Sequence, residues 1–118
     1  MRMWMVNPRI MCGNHLLGEH LETHMFHSII KKGLVSSLKG YVENNLLEIE
    51  SLKKRHDELA QEMVRRKYYH TSPMEPLNED LVRNIPKVKI NKEKSLKELL
   101  NRCSKCRERY KQMYGAKF

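Results

Sequence analysis

Twelve residues near the amino terminus, His15-Leu-Leu-Gly-Glu-His-Leu-Glu-Thr-His-Met-Phe26, hold three histidines, two glutamates and a glycine. A carboxylate there could steady a developing cation and carry protons. An imidazole could shuttle protons or bind a metal. At about 100° per residue, His15, Glu19, Glu22 and Phe26 share one helical face, and Leu17, Leu21 and Met25 share another. A surface helix carries a single apolar stripe. Apolar residues on more than one side, with ionisable groups between them, predict a helix in the middle of a small fold with its polar side chains facing a site. A packing helix whose histidines and glutamates are satisfied by neighbours gives the same pattern.

The second candidate is the amino terminus. An α-amine has a reference pKa of about 7.7–8.0, so part of it is neutral near pH 7 and nucleophilic. It can attack a sugar C1′ or an aldehyde and form an imine. Glu22 or Glu19 could support that chemistry if the first residues fold back onto the helix. Methionine aminopeptidase needs a small second residue. With Arg2 there, Met1 is expected to stay and to supply the terminal amine.

Other chemistry-bearing groups read more blandly. Cys103-Ser-Lys-Cys106 looks like half of a zinc site, but no second pair stands at finger spacing. Both cysteines also fit an apolar helical stripe, so they are read as packing residues. His20, His24 and His27 have metal-like spacing, without a His-Glu-x-x-His pattern. There is no Walker A loop, dinucleotide loop or Gly-x-Ser-x-Gly elbow. The expectation is a chain that needs no metal or organic cofactor.

The 118 residues carry 23 Lys+Arg against 14 Asp+Glu, a formal net charge of +9. That balance favours a polyanionic partner, nucleic acid first and an acidic membrane surface second. Hydrophobic residues at 40%, aromatics at 7%, five glycines and four prolines suit helices rather than a turn-rich sheet. The fold expectation is all-α: one compact domain over residues 1–118, with three main helices and long irregular connections. Three cysteines make no even disulfide set, and neither a secretory leader nor a membrane span is visible. A cytoplasmic protein is expected.

The elements that must position these groups follow in order. Met1–Cys12, containing Pro8, reads as an extended arm. The first helix is predicted over Asn14–Lys32, with Asn14 as N-cap and Gly33 as the left-handed C-terminal residue. Gly18 inside it suggests the close approach of a backbone or a ligand. Leu34–Ile49 is a connection pinned by Tyr41, Val42 and Leu47. A second helix over Ser51–Lys67 buries Leu52, Leu59, Ala60, Met63 and Val64, with His56 on the same side. Tyr68–Ile90, with three prolines, is irregular apart from one helical turn after Asn78. A third helix over Asn91–Met113, capped by Asn91, buries Leu96, Leu99, Leu100, Cys103, Cys106 and Tyr110. Arg102, Lys105, Arg107 and Arg109 form its basic flank. The aromatic and basic tail Tyr110–Phe118 suits either stacking on bases or packing on the core.

The opening Met1-Arg-Met-Trp4, the His15–His24 block and Arg55-His-Asp-Glu-Leu-Ala-Gln-Glu-Met63 with Arg65–Pro73 resemble the pyrimidine-dimer DNA glycosylases. The best-known member of that family is a bacteriophage endonuclease. Beyond Pro73 the resemblance rests on Arg102–Arg107 and the Tyr-Lys…Tyr-Gly tail. It implies a compact all-α protein that releases a damaged base and nicks the strand as an AP lyase, without a cofactor, as a monomer on lesion-bearing or modified duplex DNA, with no membrane partner. It places Met1 on the nucleophilic terminal residue, Glu22 on the catalytic glutamate and Arg2 on a DNA-contacting arginine. His15, Arg102 and Lys105 follow as further DNA contacts. A non-catalytic DNA-binding module with the same fold is the alternative. The phage member has arginines where this chain has Leu21 and Met25, and Gly13 stands where many cellular relatives carry a basic residue. The resemblance therefore supports the chemistry better than the identity of the damaged base.

Overall fold

The fold is all-helical. A computed structural model describes residues 1–70 and 72–115, and no strand occurs among them. The helices are α1 (Gly13–Lys31), α2 (Lys39–Glu43), α3 (Leu52–Arg65), α4 (Glu79–Val82), α5 (Lys92–Arg102) and α6 (Ser104–Tyr114). Short 3-10 turns at Pro8–Ile10, Val35–Leu38 and Ile49–Ser51 join them.

α1 and α3 pack on each other across two apolar clusters. Along α1, Leu16 enters one apolar cluster with Trp4, Met11, Leu59, Met63, Leu99 and Leu100. Phe26 and Ile30 enter a second cluster with Met3, Val42, Leu47, Leu52, Ile85 and Ile90. Along α3 the order is reversed, with Leu52 in the second cluster and Leu59 and Met63 in the first. Between the clusters both helices bury polar groups: Glu19, His20 and Thr23 from α1, Arg55 and His56 from α3.

Arg55 is the largest fully buried side chain, at 1% exposure. Its Nε donates to Glu19 Oε2 at 2.6 Å, its Nη2 to Glu19 Oε1 at 2.8 Å and its Nη1 to the Val6 carbonyl at 2.6 Å. The guanidinium therefore ties α3, α1 and the amino-terminal arm together. Removing one partner of such a pair leaves an uncompensated buried charge, at about 3–5 kcal/mol. Arg55→Met should lose stability of that order in denaturant titration. An unchanged midpoint would mean that the pair contributes little.

Several boundaries differ from expectation. Cys12, not Asn14, occupies the N-cap of α1, and its side chain makes no capping bond. Gly33 (φ 74°) closes the helix as predicted, with Gly33 N donating to Ile30 O and Leu34 N to Ile29 O. Lys67 does the same after α3 at φ 65°, a conformation that costs a residue bearing a Cβ about 1–2 kcal/mol. That turn swings Tyr68 over Gly13, where an added Cβ would lie 3.0 Å from the tyrosine hydroxyl oxygen. A larger residue at position 13 has to displace the end of the partly exposed Tyr68 side chain by a few tenths of an ångström. Val64, expected in the core, is 61% exposed.

The predicted third main helix is two helices. Cys103 is extended (φ −121°, ψ 109°), ends α5 and caps α6 through Cys106 N–H···Sγ at 3.4 Å. Asn91 caps α5 by accepting from Lys94 N, as expected. The single turn after Asn78 is α4, with Asn78 accepting from Asp80 N. Tyr41 meets Phe26 edge-on at 5.2 Å, and Val42 and Leu47 are buried. No helix among the described residues is long and apolar enough to cross a membrane. Of the tail, Ala116, Lys117 and Phe118 lie outside the described residues.

Candidate active site

The arm preceding α1 is anchored at successive residues. Met3 N donates to Leu46 O at 2.8 Å, and the Met3 side chain is fully buried. Trp4 O accepts from Ser95 Oγ at 2.5 Å. Arg2 lies over the Trp4 ring, its Cζ 4.0 Å from the centroid, and donates to Glu98 Oε2 at 2.8 Å and Ser95 Oγ at 2.9 Å. With residues 2, 3 and 4 fixed, the Met1 amine has a defined place. It stands 3.9 Å from Glu22 Oε1.

That pair lines a cleft of about 610 Å³, shared with Arg2, Trp4, His15, Gly18, Glu98 and Arg102. Glu22 keeps 27% of its side chain exposed, and the Met1 side chain 11%. Burial pushes the Glu22 carboxyl above the usual carboxylate range, and Glu19 adds to that. The Met1 ammonium, the Arg2 backbone N–H and the Arg2 guanidinium pull the other way without cancelling it. A partly desolvated carboxylate beside an amine can stabilise positive charge growing between them.

Glu19 also borders the cleft, but Arg55 holds both of its oxygens. The two carboxylates that share a helical face thus have different work: Glu22 meets the cleft, and Glu19 meets the core. Among the described residues, nothing beyond the adjoining backbone of α1 lies within 4 Å of a Cβ built on Gly18. The expected close backbone is therefore absent, and the space beside Gly18 belongs to the cleft.

Of the remaining sequence candidates, Arg102 reaches the cleft, with its Cζ 5.4 Å from the Trp4 ring centroid. Lys105 is exposed on the first turn of α6 and does not line it. His15 lines the cleft and meets Trp4 edge-on at 5.9 Å, while its Nδ1 faces Cys12 Sγ at 3.2 Å and Cys106 Sγ at 3.7 Å. Burial, and then the Arg102 charge, lower its pKa.

Sequence reasoning missed Ser95 and Glu98, which hold Arg2 from more than 90 positions away. An i, i+3 pair on a lysine-rich helix carries no sign of such a role.

α1 is less wrapped than its pattern suggested. Leu17, Leu21 and Met25 are 43%, 59% and 45% exposed, an apolar row at i, i+4, i+8. The histidine trio also regroups. His27 leaves it for the Glu75 carbonyl, and His20 and His24 join His56 and His70. His56 is engaged by Asp57 Oδ1 and Ser72 O, while His20 Nε2 and His70 Nε2 lie 2.9 Å apart. Burial, then His56, His24 and His70, lower the His20 pKa to about 4. His56 packs in the core, as a histidine on an apolar stripe does.

A family model for pyrimidine dimer DNA glycosylases matches residues 1–76, more than half of the chain. The matched segment contains Met1, Arg2, His15, Glu19 and Glu22. No curated protein and no solved structure matches the chain.

Proposed function

The chain belongs to the pyrimidine dimer DNA glycosylase family, and from that premise we propose that it removes a damaged base from duplex DNA and nicks the strand as an AP lyase. A pyrimidine dimer is the first substrate to test. The observation that carries this reading is the Met1 amine 3.9 Å from Glu22 Oε1 beside a cleft of about 610 Å³.

The neutral amine attacks C1′ of the damaged nucleotide as the glycosidic bond breaks, and the base leaves with the bonding electrons. Positive charge grows on the sugar in this step, and the Glu22 carboxylate stabilises it. The amine, now bonded to C1′, gives up a proton, for which Glu22 is the nearest acceptor. The sugar ring opens to an imine between Met1 N and C1′. Loss of a C2′ proton then expels the 3′ phosphate by β-elimination, and water hydrolyses the imine and frees the amine. Arg2, pinned by Glu98 and Ser95, sets the amine's position more than it offers a free charge. His15 and Arg102 stand at the cleft for the DNA backbone, with Lys105 farther out.

The discriminating experiment presents UV-irradiated and abasic duplexes to the protein and scores base release, nicking and binding. Nicking on both duplexes supports the proposal. Binding without nicking favours a DNA-binding module on the same fold. Affinity for undamaged duplex should also fall steeply with salt, because each neutralised phosphate releases counterions. With about six contacts the loss between 50 and 200 mM salt is on the order of 10³-fold. A flat dependence would remove nucleic acid as the partner.

A further inference from the structure

Three thiols and an imidazole that are scattered in sequence meet where the base of the arm touches the α5–α6 junction. Cys12 Sγ lies 3.8 Å from Cys103 Sγ, 91 residues away. His15 Nδ1 lies 3.2 Å from Cys12 Sγ and 3.7 Å from Cys106 Sγ. One ligand atom from each of the four residues falls within 4.8 Å of every other. All three cysteines are free thiols.

The 3.8 Å and 3.7 Å separations fall at the edges of a tetrahedron around zinc, and the 3.2 Å Cys12–His15 separation is shorter than such an edge. Bonds of about 2.3 Å to sulfur and about 2.0–2.1 Å to nitrogen give S···S edges near ~3.8 Å and S···N edges near ~3.6 Å. Three soft sulfurs and one imidazole select zinc over magnesium or calcium, which prefer oxygen. Backbone donors are already aimed at the sulfurs: Cys12 N–H at Cys106 Sγ (3.2 Å) and Cys106 N–H at Cys103 Sγ (3.4 Å). Such N–H···S bonds stabilise thiolates around a metal. The extended backbone at Cys103, which splits the predicted third helix, allows this arrangement.

We propose that Cys12 Sγ, His15 Nδ1, Cys103 Sγ and Cys106 Sγ bind one structural zinc ion. On binding, the three thiols release their protons to solvent and the imidazole coordinates in its neutral form. Four protein donors close the coordination shell, so the ion holds structure and performs no chemistry. It joins the start of α1 to the junction of α5 and α6, and so fixes two walls of the cleft. Coordination through Nδ1 leaves the His15 proton on Nε2, on a ring that lines the cleft. The sequence contains only half of this site as a local motif, which is why no metal was expected.

The test is metal content, independent of activity. The full chain, produced in zinc-supplemented medium and purified without chelator, should carry about one zinc per molecule. Cobalt(II) in its place should give the intense absorption of a tetrahedral thiolate site. Cys103→Ser should lower retained zinc at least about tenfold after dialysis, and His70→Gln should leave it unchanged. If Cys103→Ser does not fold, His15→Cys replaces the imidazole with a fourth thiolate and should keep the zinc. Less than half an equivalent in the parent protein, a weak octahedral cobalt spectrum or a Cys12–Cys103 disulfide by mass would overturn the proposal. So would zinc that leaves with His70→Gln and stays in Cys103→Ser, since the ion would then sit among the four histidines.

Discussion

Glu22→Gln should keep DNA affinity and lose base excision by about 10²–10³-fold. The amide keeps the size of the carboxylate and one acceptor oxygen but cannot hold the charge that opposes a sugar cation. Folding raises the Glu22 pKa, chiefly by burial, so the ionised carboxylate costs stability at neutral pH. The variant should therefore melt no lower than the parent, and the lost activity cannot be assigned to unfolding. The same direction of shift predicts the acid limb of the pH profile. Activity needs the carboxylate ionised, so the ratio of parent to variant activity should decline with falling pH while still above the usual carboxylate range. Glu19→Gln is the control. It disturbs the bidentate contact with Arg55, so it should reduce the folded fraction more than the rate per folded molecule. Equal losses per folded molecule at both positions would show that the wrong carboxylate has been assigned.

A short uncleavable extension ahead of Met1 should abolish nicking of abasic duplex and leave salt-sensitive binding largely intact. The amine is placed by the anchoring of the three residues behind it, and its distance of 3.9 Å from Glu22 leaves little slack. Displacement of a reacting atom by about 1 Å can cost ~10²-fold, and an extension both moves the amine and converts it to an amide. Arg2, Arg102 and the rest of the basic surface remain, so affinity should not follow activity. Intact-mass measurement on the parent checks whether Met1 is the first residue of the protein assayed. An extended chain that nicks as fast as the parent would shift the search to a lysine.

How far the sequence could be read depended on whether a residue's partner lies nearby in the chain. Asn91, Asn78 and Gly33 were legible because a cap or a left-handed turn is a local matter. The core face of α3 was legible from helical spacing apart from Val64, whereas on α1 the row Leu17, Leu21 and Met25 is exposed and Leu16 and Ile30 take the core positions. The break at Cys103 was not, because Leu96, Leu99, Leu100, Cys106 and Tyr110 keep helical spacing across it. Arg55 was invisible in another way: an arginine next to Lys53 and Lys54 reads as part of a solvated face, and only the fold reveals Glu19 and the Val6 carbonyl around it. The convergence of Cys12 and His15 with Cys103 and Cys106 crosses about ninety residues, a span that no spacing rule reaches. Met1 and Glu22 were paired through the family resemblance. Composition and periodicity left Glu19 and Glu22 equal, and the fold separates them by giving Glu19 to Arg55.

The central claim is covalent chemistry at the Met1 amine, and the most direct measurement is borohydride trapping on UV-irradiated and abasic duplexes followed by peptide mapping. Reduction of the imine should give a stable protein–DNA adduct on both substrates, with the added mass on the amino-terminal peptide at Met1. No adduct under conditions where the strand is nicked, or an adduct mapped to any lysine, would contradict the account.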